Sequence, residues 1–207
     1  KFAKKKITVA ISGEGADELF GGYPRYKNIA FFWNKIKKQP KVFSELMEAF
    51  SESFSSSKYS YMRSIGKKFR KYSHTNLDSL YNDEMSRWRP DEKIMIERSF
   101  KGSYFEKKLK NLNNIVSDPI YLMMRDVITY LPSNLLVKTD RASMHNSLEI
   151  RSPYLDNDLV NLVWSFPDNF ILYKDEKIIL RDILKEKLGS NFVNRKKQGF
   201  EPPLYDW

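Results

Sequence analysis

The sequence predicts a mostly helical α/β chain with one N-terminal strand, and three observations carry that reading. Ile7-Thr8-Val9-Ala10-Ile11 is uncharged, rich in β-branched side chains and without polar alternation, the pattern of a strand buried on both faces of a parallel sheet. Gly13 and Gly15 then let the backbone turn sharply and approach a ligand closely, and Ala16 to Phe20 reads as the first turn of a helix. Beyond that turn, apolar residues recur at spacings of three and four, so the rest of the chain reads as helices.

At 207 residues, 41% of them apolar and 30% charged, the chain has the size and balance of one globular domain. It contains no cysteine, which excludes a disulfide framework and a thiolate metal site. Lys1 to Lys6 precede an apolar run too short for the hydrophobic part of a signal peptide. No segment approaches the ~18 apolar residues of a membrane span. A reducing, cytoplasmic setting is the expectation. The net charge of +10 fits a nucleic-acid surface, a site for anions such as ATP, or a piece of a larger protein whose remainder is acidic.

The glycine turn is unusual as a phosphate site, because it carries three carboxylates and no cation. Glu14, Asp17 and Glu18 would repel a bare polyphosphate. Mg²⁺ resolves the conflict, since it is typically held by one or two carboxylates plus phosphate oxygens. The turn is not a P-loop, for no Gly-Lys-Ser/Thr follows. Nor is it a dinucleotide fingerprint, since Glu18 stands where the third glycine would. A solvated acidic helix start, favoured by the helix dipole, is the plainer alternative.

Residues 23–38 read as an aromatic-rich helix that stops near Pro40. Residues 42–54 place Val42, Phe43, Leu46, Met47 and Phe50 at helical spacing and dissolve into the loop Ser55-Ser56-Ser57. In residues 58–72, Tyr61, Ile65, Phe69 and Tyr72 form one face with the cations opposite, so a solvated amphipathic helix outweighs a nucleic-acid patch. Residues 76–88 and 91–100 read as two further helices, the first ended before Pro90, and 107–114 as a surface connection.

Asp118-Pro119 starts a helix whose apolar face is Ile120, Met123, Met124, Val127 and Leu131. Pro132 ends it, and Ser133 can cap the next helix, which carries Lys138, Asp140 and Arg141. Charges in such a place either pair with each other or face a site. Glu149 and Arg151 alternate about Ile150 in a short extended segment, either positioning substrate or forming a salt-bridged turn. Asp156 caps a helix holding Leu159, Leu162, Val163 and Phe166. Residues 176–188 read as a last helix with Lys177, Arg181 and Lys185 on one face. His74 and His145 have no metal-ligand partner at helical spacing.

Ser12-Gly13-Glu14-Gly15-Ala16-Asp17-Glu18-Leu19-Phe20-Gly21-Gly22-Tyr23 closely resembles a signature of the synthetase domain of the glutamine-hydrolysing asparagine synthetases. Three more stretches agree in order. They are Tyr130-Leu131-Pro132 with Leu135 to Met144, then Ser147 to Asp156, then Lys177-Ile178-Ile179-Leu180-Arg181 with Arg195-Lys196-Lys197-Gln198-Gly199-Phe200. The resemblance implies an α/β parent fold of the adenine-nucleotide α-hydrolase type, a parallel sheet with helices on both faces. It also implies activation of an aspartate carboxylate by ATP and Mg²⁺ to an aspartyl-adenylate, which ammonia from glutamine converts to asparagine. By position, Ser12 and Gly13 would contact ATP, Asp17 would hold Mg²⁺, and Glu14 would orient or deprotonate the amine. Lys177 would stabilise charge at the reacting phosphate. Lys138, Arg141, Glu149 and Arg151 would lie by the amino-acid substrate.

Two departures bear on that reading. The family's Ser-Gly-Gly-x-Asp-Ser pyrophosphate loop, which supplies a second Mg²⁺ carboxylate, does not occur in this sequence, and neither does a cysteine glutaminase domain. Residues 1–207 are therefore expected to be the later part of a synthetase domain within a longer protein, and inactive alone. Relatives that amidate sugars or close β-lactam rings leave the substrate open. A non-catalytic remnant or partner subunit, and a basic nucleic-acid binder, are the other readings. Neither a membrane nor nucleic acid is expected as partner, and homo-oligomerisation of the full-length protein stays open.

Overall fold

The computed structural model describes residues 1–86, 109, 111–112, 115–172 and 176–193. Its secondary structure is mainly helical around one small parallel sheet, as the sequence predicts. β1 (Val9–Ile11) pairs with β2 (Glu149–Arg151), with Val9 opposite Glu149, Ala10 opposite Ile150 and Ile11 opposite Arg151. Bonds from Glu149 N–H to Thr8 O (3.0 Å) and from Ser12 N–H to Arg151 O (2.9 Å) extend the ladder at both ends. The expected burial of the strand on both faces is not found. Ile7, Val9 and Ile11 are 44, 40 and 77% exposed, because the helices among the described residues pack on one another and leave that face of the sheet uncovered, while Ala10 and Ile150 on the other face are half-buried.

After β1 come α1 (Ala16–Leu19), α2 (Pro24–Ile36), α3 (Lys41–Ser55), α4 (Ser60–Ser73) and α5 (Leu77–Met85). Proline opens α2, where its missing N–H costs nothing, and the Asn76 side chain caps α5 through Ser79 N–H at 2.8 Å. α3 and α4 form a hairpin, with Phe69 stacked on Phe54 and tilted against Phe50. Arg70 and Lys71 at the end of α4 pair with Asp83 (2.6 Å) and Glu84 (2.9 Å) on α5, so part of its cationic face is neutralised within the fold. The predicted helix over 91–100, the end of the 76–88 helix, the 107–114 connection and the Gln198-Gly199-Phe200 element lie wholly or largely outside the described residues.

α6 (Asp118–Ile128) runs through the centre of the molecule. Its predicted face is buried at Ile120 and Met123, but Tyr121, Leu122, Arg125 and Asp126 are buried as well. A helix enclosed on nearly all sides does not show its environment in a 3.6-residue period. The core joins Leu19, Tyr26, Ile29, Leu77, Leu80, Ile120, Met123, Val163 and Ile171 around it.

α6 ends at Ile128, ahead of Pro132, where Thr129 leaves helical geometry at φ −120°, ψ −69°, but Pro132 does not open a loop. The backbone widens into a π turn over Leu131–Leu136 and continues directly into α7 (Val137–Met144). The proline lacks an N–H and its ring crowds the preceding turn, and a wider turn relieves both. Ser133 is accordingly not a cap; its hydroxyl donates back to Thr129 O. Then follow β2, a 3₁₀ turn (Pro153–Leu155), α8 (Asn157–Trp164) capped by Asp156, α9 (Asp168–Ile171) and α10 (Ile178–Leu188). Among the described residues, no helix is long and apolar enough to cross a membrane.

Candidate active site

The carboxyl end of β1 carries Ser12-Gly13-Glu14-Gly15 to the place where the 153–155 turn, α7 and the residue before α10 meet α1. Gly15 has φ +91°, a conformation that demands glycine, and a Cβ there would also stand 2.5 Å from Leu155 Cδ2 and displace that side chain. Gly13 differs: nothing lies within 4 Å of where its Cβ would be, which leaves that stretch of backbone open to a ligand.

Ser12 and Glu14 act together. The Ser12 hydroxyl donates to Glu14 Oε2 and lies 3.1 Å from Ser152 Oγ, while Thr139 Oγ1 on α7 donates to Glu14 Oε1 at 2.6 Å. Burial pushes the Glu14 carboxyl up. The Ser12 and Thr139 hydrogen bonds and the charge of Lys138 more than offset it and hold the group below its ordinary range. Such a carboxylate is ionised at neutral pH, a fixed acceptor and a weak base.

Asp17 and Lys177 meet although they are far apart in sequence: Lys177 Nζ lies 3.0 Å from Asp17 Oδ1. The structure corrects the expectation that Lys177 sits inside the last helix. It precedes α10 in the left-handed region at φ 53°, ψ 38°, its N–H donates to Phe20 O at 3.2 Å, and its carbonyl accepts from Arg181 N–H at 3.0 Å. The cationic row is thereby broken. Arg181 donates to Val193 O at 3.1 Å, and Lys185 is exposed.

The four residues expected to position substrate divide. Lys138 is exposed on α7 but its charge reaches Glu14, and Arg141 is exposed on the same helix. Arg151 Nε donates to Glu149 Oε1 at 2.8 Å, an exposed pair along β2. No ion pair of Asp140 is found among the described residues.

Sequence reasoning gave no role to Thr139, Ser152 or Tyr23, and counted Glu18 only as one of the three carboxylates of the turn. The two hydroxyls lie in stretches already singled out, beside more conspicuous charges, and only the fold turns them toward Ser12 and Glu14. Glu18 is buried, its carboxyl raised chiefly by that burial, and its Oε1 accepts from Tyr23 OH at 3.2 Å. Its acidic, turn-like sequence context predicts exposure, so nothing local reveals it.

Among the described residues no group of three or more His, Asp or Glu converges to hold a metal ion. Asp17 nevertheless already holds a cation, the Lys177 ammonium. A Mg²⁺ ion taking one carboxylate and completing its shell with phosphate oxygens and water fits that donor set.

The family model described as Asparagine synthase matches residues 1–207. Asparagine synthetase [glutamine-hydrolyzing] 1 of Bacillus subtilis is 27% identical over 212 residues, covering 100% of this chain and 32% of the relative. A putative asparagine synthetase [glutamine-hydrolyzing] of Mycobacterium bovis is 28% identical over 222 residues, covering 99% and 31%. A probable asparagine synthetase [glutamine-hydrolyzing] of Acanthamoeba polyphaga mimivirus is 38% identical over 66 residues, covering 30% and 12%. The chain thus spans about a third of the length of the first two. No solved structure matches.

Proposed function

This chain belongs to the asparagine synthase family, and from that premise we propose that it supplies the later part of the synthetase site of an ATP-dependent amide-forming ligase, with aspartate, ATP and glutamine-derived ammonia as substrates. The observation that supports this most is the approach of Lys177 to Asp17, three residues along the chain from Glu14, at the carboxyl end of a parallel strand. Open parallel sheets bind their ligands at that end.

In this reading the aspartate side-chain carboxylate attacks the α-phosphorus of ATP. The bond to pyrophosphate breaks and an aspartyl-adenylate forms. Ammonia then attacks the acyl carbon, the C–O bond to AMP breaks, and the amide remains. Ser12 and the open backbone at Gly13 hold the nucleotide. Asp17 would hold Mg²⁺, which would supply positive charge to the pyrophosphate. Lys177 balances charge developing at the phosphate, the kind of preorganised electrostatic help that is often the largest catalytic contribution. Glu14, ionised and fixed by two hydroxyls, accepts a hydrogen bond from the attacking nitrogen and passes its surplus proton to water. Its lowered pKa favours orientation over strong-base catalysis.

The test is single-turnover adenylate formation in the full-length protein. Lys177→Met should slow it on the order of 10²–10³-fold, by analogy with loss of an oxyanion donor. Lys185→Met, exposed further along α10, should leave it unchanged. Equal rates in the two variants would remove Lys177 from the chemistry. The isolated 207-residue chain should give no ATP–pyrophosphate exchange with aspartate, and exchange above background would refute its dependence on residues beyond it.

A further inference from the structure

We propose that Lys177 is a built-in counter-cation for Asp17, seated through the gap that Gly22 leaves, and that a divalent ion takes this carboxylate by exchanging with the ammonium. The inference rests on the functional reading above for the nature of the ion, and it adds an order of events that this reading does not contain.

Three features build the pair. Lys177 Nζ and Asp17 Oδ1 lie 3.0 Å apart, with the two side chains 28 and 22% exposed, so bulk water does not fully screen them. Gly22 supplies the space. A Cβ on Gly22 would overlap Asp17 Oδ1 and Lys177 Cε and stand 2.9 Å from Asp17 Cγ, so the pair closes directly over a bare Cα. The Gly22 N–H also donates to Asp17 O at 2.8 Å, which fixes the two residues relative to each other. The third feature is the base of the lysine. Its backbone is left-handed at φ 53° and tied to Phe20 O at 3.2 Å, so the side chain starts from a fixed point beside α1.

A divalent ion on the same oxygen would lie about 2.0–2.1 Å from it. The ammonium could not stay in hydrogen-bonding range of that oxygen without strong like-charge repulsion. One cation therefore replaces the other. Arrival of the ion frees the ammonium while its backbone stays anchored a few ångströms away, within reach of the phosphates that the ion brings. Before that, Asp17 is neutralised and Lys177 is withheld. The lysine becomes available only when the metal is in place.

The test is Mn²⁺ binding to the full-length, nucleotide-free protein, followed by electron paramagnetic resonance of the free ion. If the pair is closed nine-tenths of the time, removing the lysine should raise apparent Mn²⁺ affinity about tenfold. Lys177→Met should show that gain. Lys177→Gly should show it too, and glycine accepts the left-handed backbone without strain, which guards against a folding artefact. Lys177→Arg keeps a cation and should bind Mn²⁺ like the wild type. The gain should vanish when Asp17→Asn is combined with Lys177→Met. Wild-type affinity in both Lys177→Met and Lys177→Gly would overturn the exchange, as would a gain that persists without Asp17. Since no nucleotide or substrate is present, failure here leaves the adenylation assay standing, and failure of that assay leaves this result standing.

Discussion

Thr139 Oγ1 lies 2.6 Å from Glu14 Oε1 and, with Ser12, keeps that carboxylate ionised against its burial. Valine has nearly the shape of threonine and no hydroxyl. Thr139→Val should therefore raise the Glu14 pKa while leaving the helix in place, because the desolvation stays and one compensating hydrogen bond goes. Side-chain carboxyl carbon shifts followed against pH by NMR would measure it, and an unmoved titration midpoint would mean that Thr139 does not hold Glu14. Asp17→Asn is the companion change. It keeps the shape, loses the charge that draws a hard cation, and should abolish pyrophosphate release with little change in melting temperature. If Asp17 were only a residue of the helix start, asparagine would serve nearly as well and turnover would persist.

At the scale of elements, the α3–α4 hairpin turns on one glycine. Gly66 lies in α4 against Ser51 and Ser55, and a Cβ there would meet Ser55 Oγ at 2.8 Å, Ser51 O at 3.0 Å and Ser55 N at 3.0 Å. Two of those atoms are backbone of a packed helix and cannot swing aside. Alanine would gain roughly 1 kcal/mol of helix propensity, but overpacking of this kind typically costs about 1–3 kcal/mol. Gly66→Ala should thus be net destabilising in urea denaturation. Ser64→Ala, exposed on the same helix, should stay within about 0.5 kcal/mol. The π turn over Leu131–Leu136 acts at the same scale. It follows the break after α6 at Thr129 and runs directly into α7, the element that delivers Thr139 to Glu14.

For the whole molecule, Asp126 is the polar centre. It is fully buried on α6 and accepts from Tyr26 OH at 2.6 Å, from Tyr81 OH, and from Arg25, whose guanidinium stacks 3.8 Å from the Tyr23 ring centre. One carboxylate thereby ties α2, α5 and α6 together. Asp126→Ala would strand a half-buried guanidinium and two phenols, and removing one partner of a buried pair costs roughly 3–5 kcal/mol. Urea melts of the variant would measure it. Acid should act through different groups. Asp83 is raised by burial, but the hydrogen bond with His74 and the charge of Arg70 prevail and leave it below its ordinary range, as Glu14 is below its own. A depressed carboxyl contributes stability that is complete above its unfolded pKa and is lost as pH falls through its folded value. The share of the melting temperature that Asp83 and Glu14 hold should therefore be level above about pH 5 and fall below it, while Glu18, raised by burial, acts in the opposite sense and loses stability as pH rises. Asp83→Asn should lower the plateau and flatten part of that fall. A variant that tracks the wild type throughout would remove Asp83 from the acid response.

Local chemistry made much of this protein legible from its sequence. The helix starts at Asp118 and Asp156 follow from proline geometry and a side-chain cap, which act within three or four residues. The glycine turn with its carboxylates was legible for the same reason, and so was the family, because its stretches are contiguous. What tertiary structure alone decided involves partners far apart in the chain. β2 is three residues long and becomes a strand only by pairing with β1. Asp126 and Glu18 are buried because other helices cover them, which no period in their own segments records. The strand expected to be covered on both faces is open on the face of Val9 and Ile11, since burial depends on neighbours and not on the strand's own composition. Lys177 read as one member of a helical row. Its left-handed backbone, set by the bond to Phe20, takes it out of that row and brings its ammonium to Asp17.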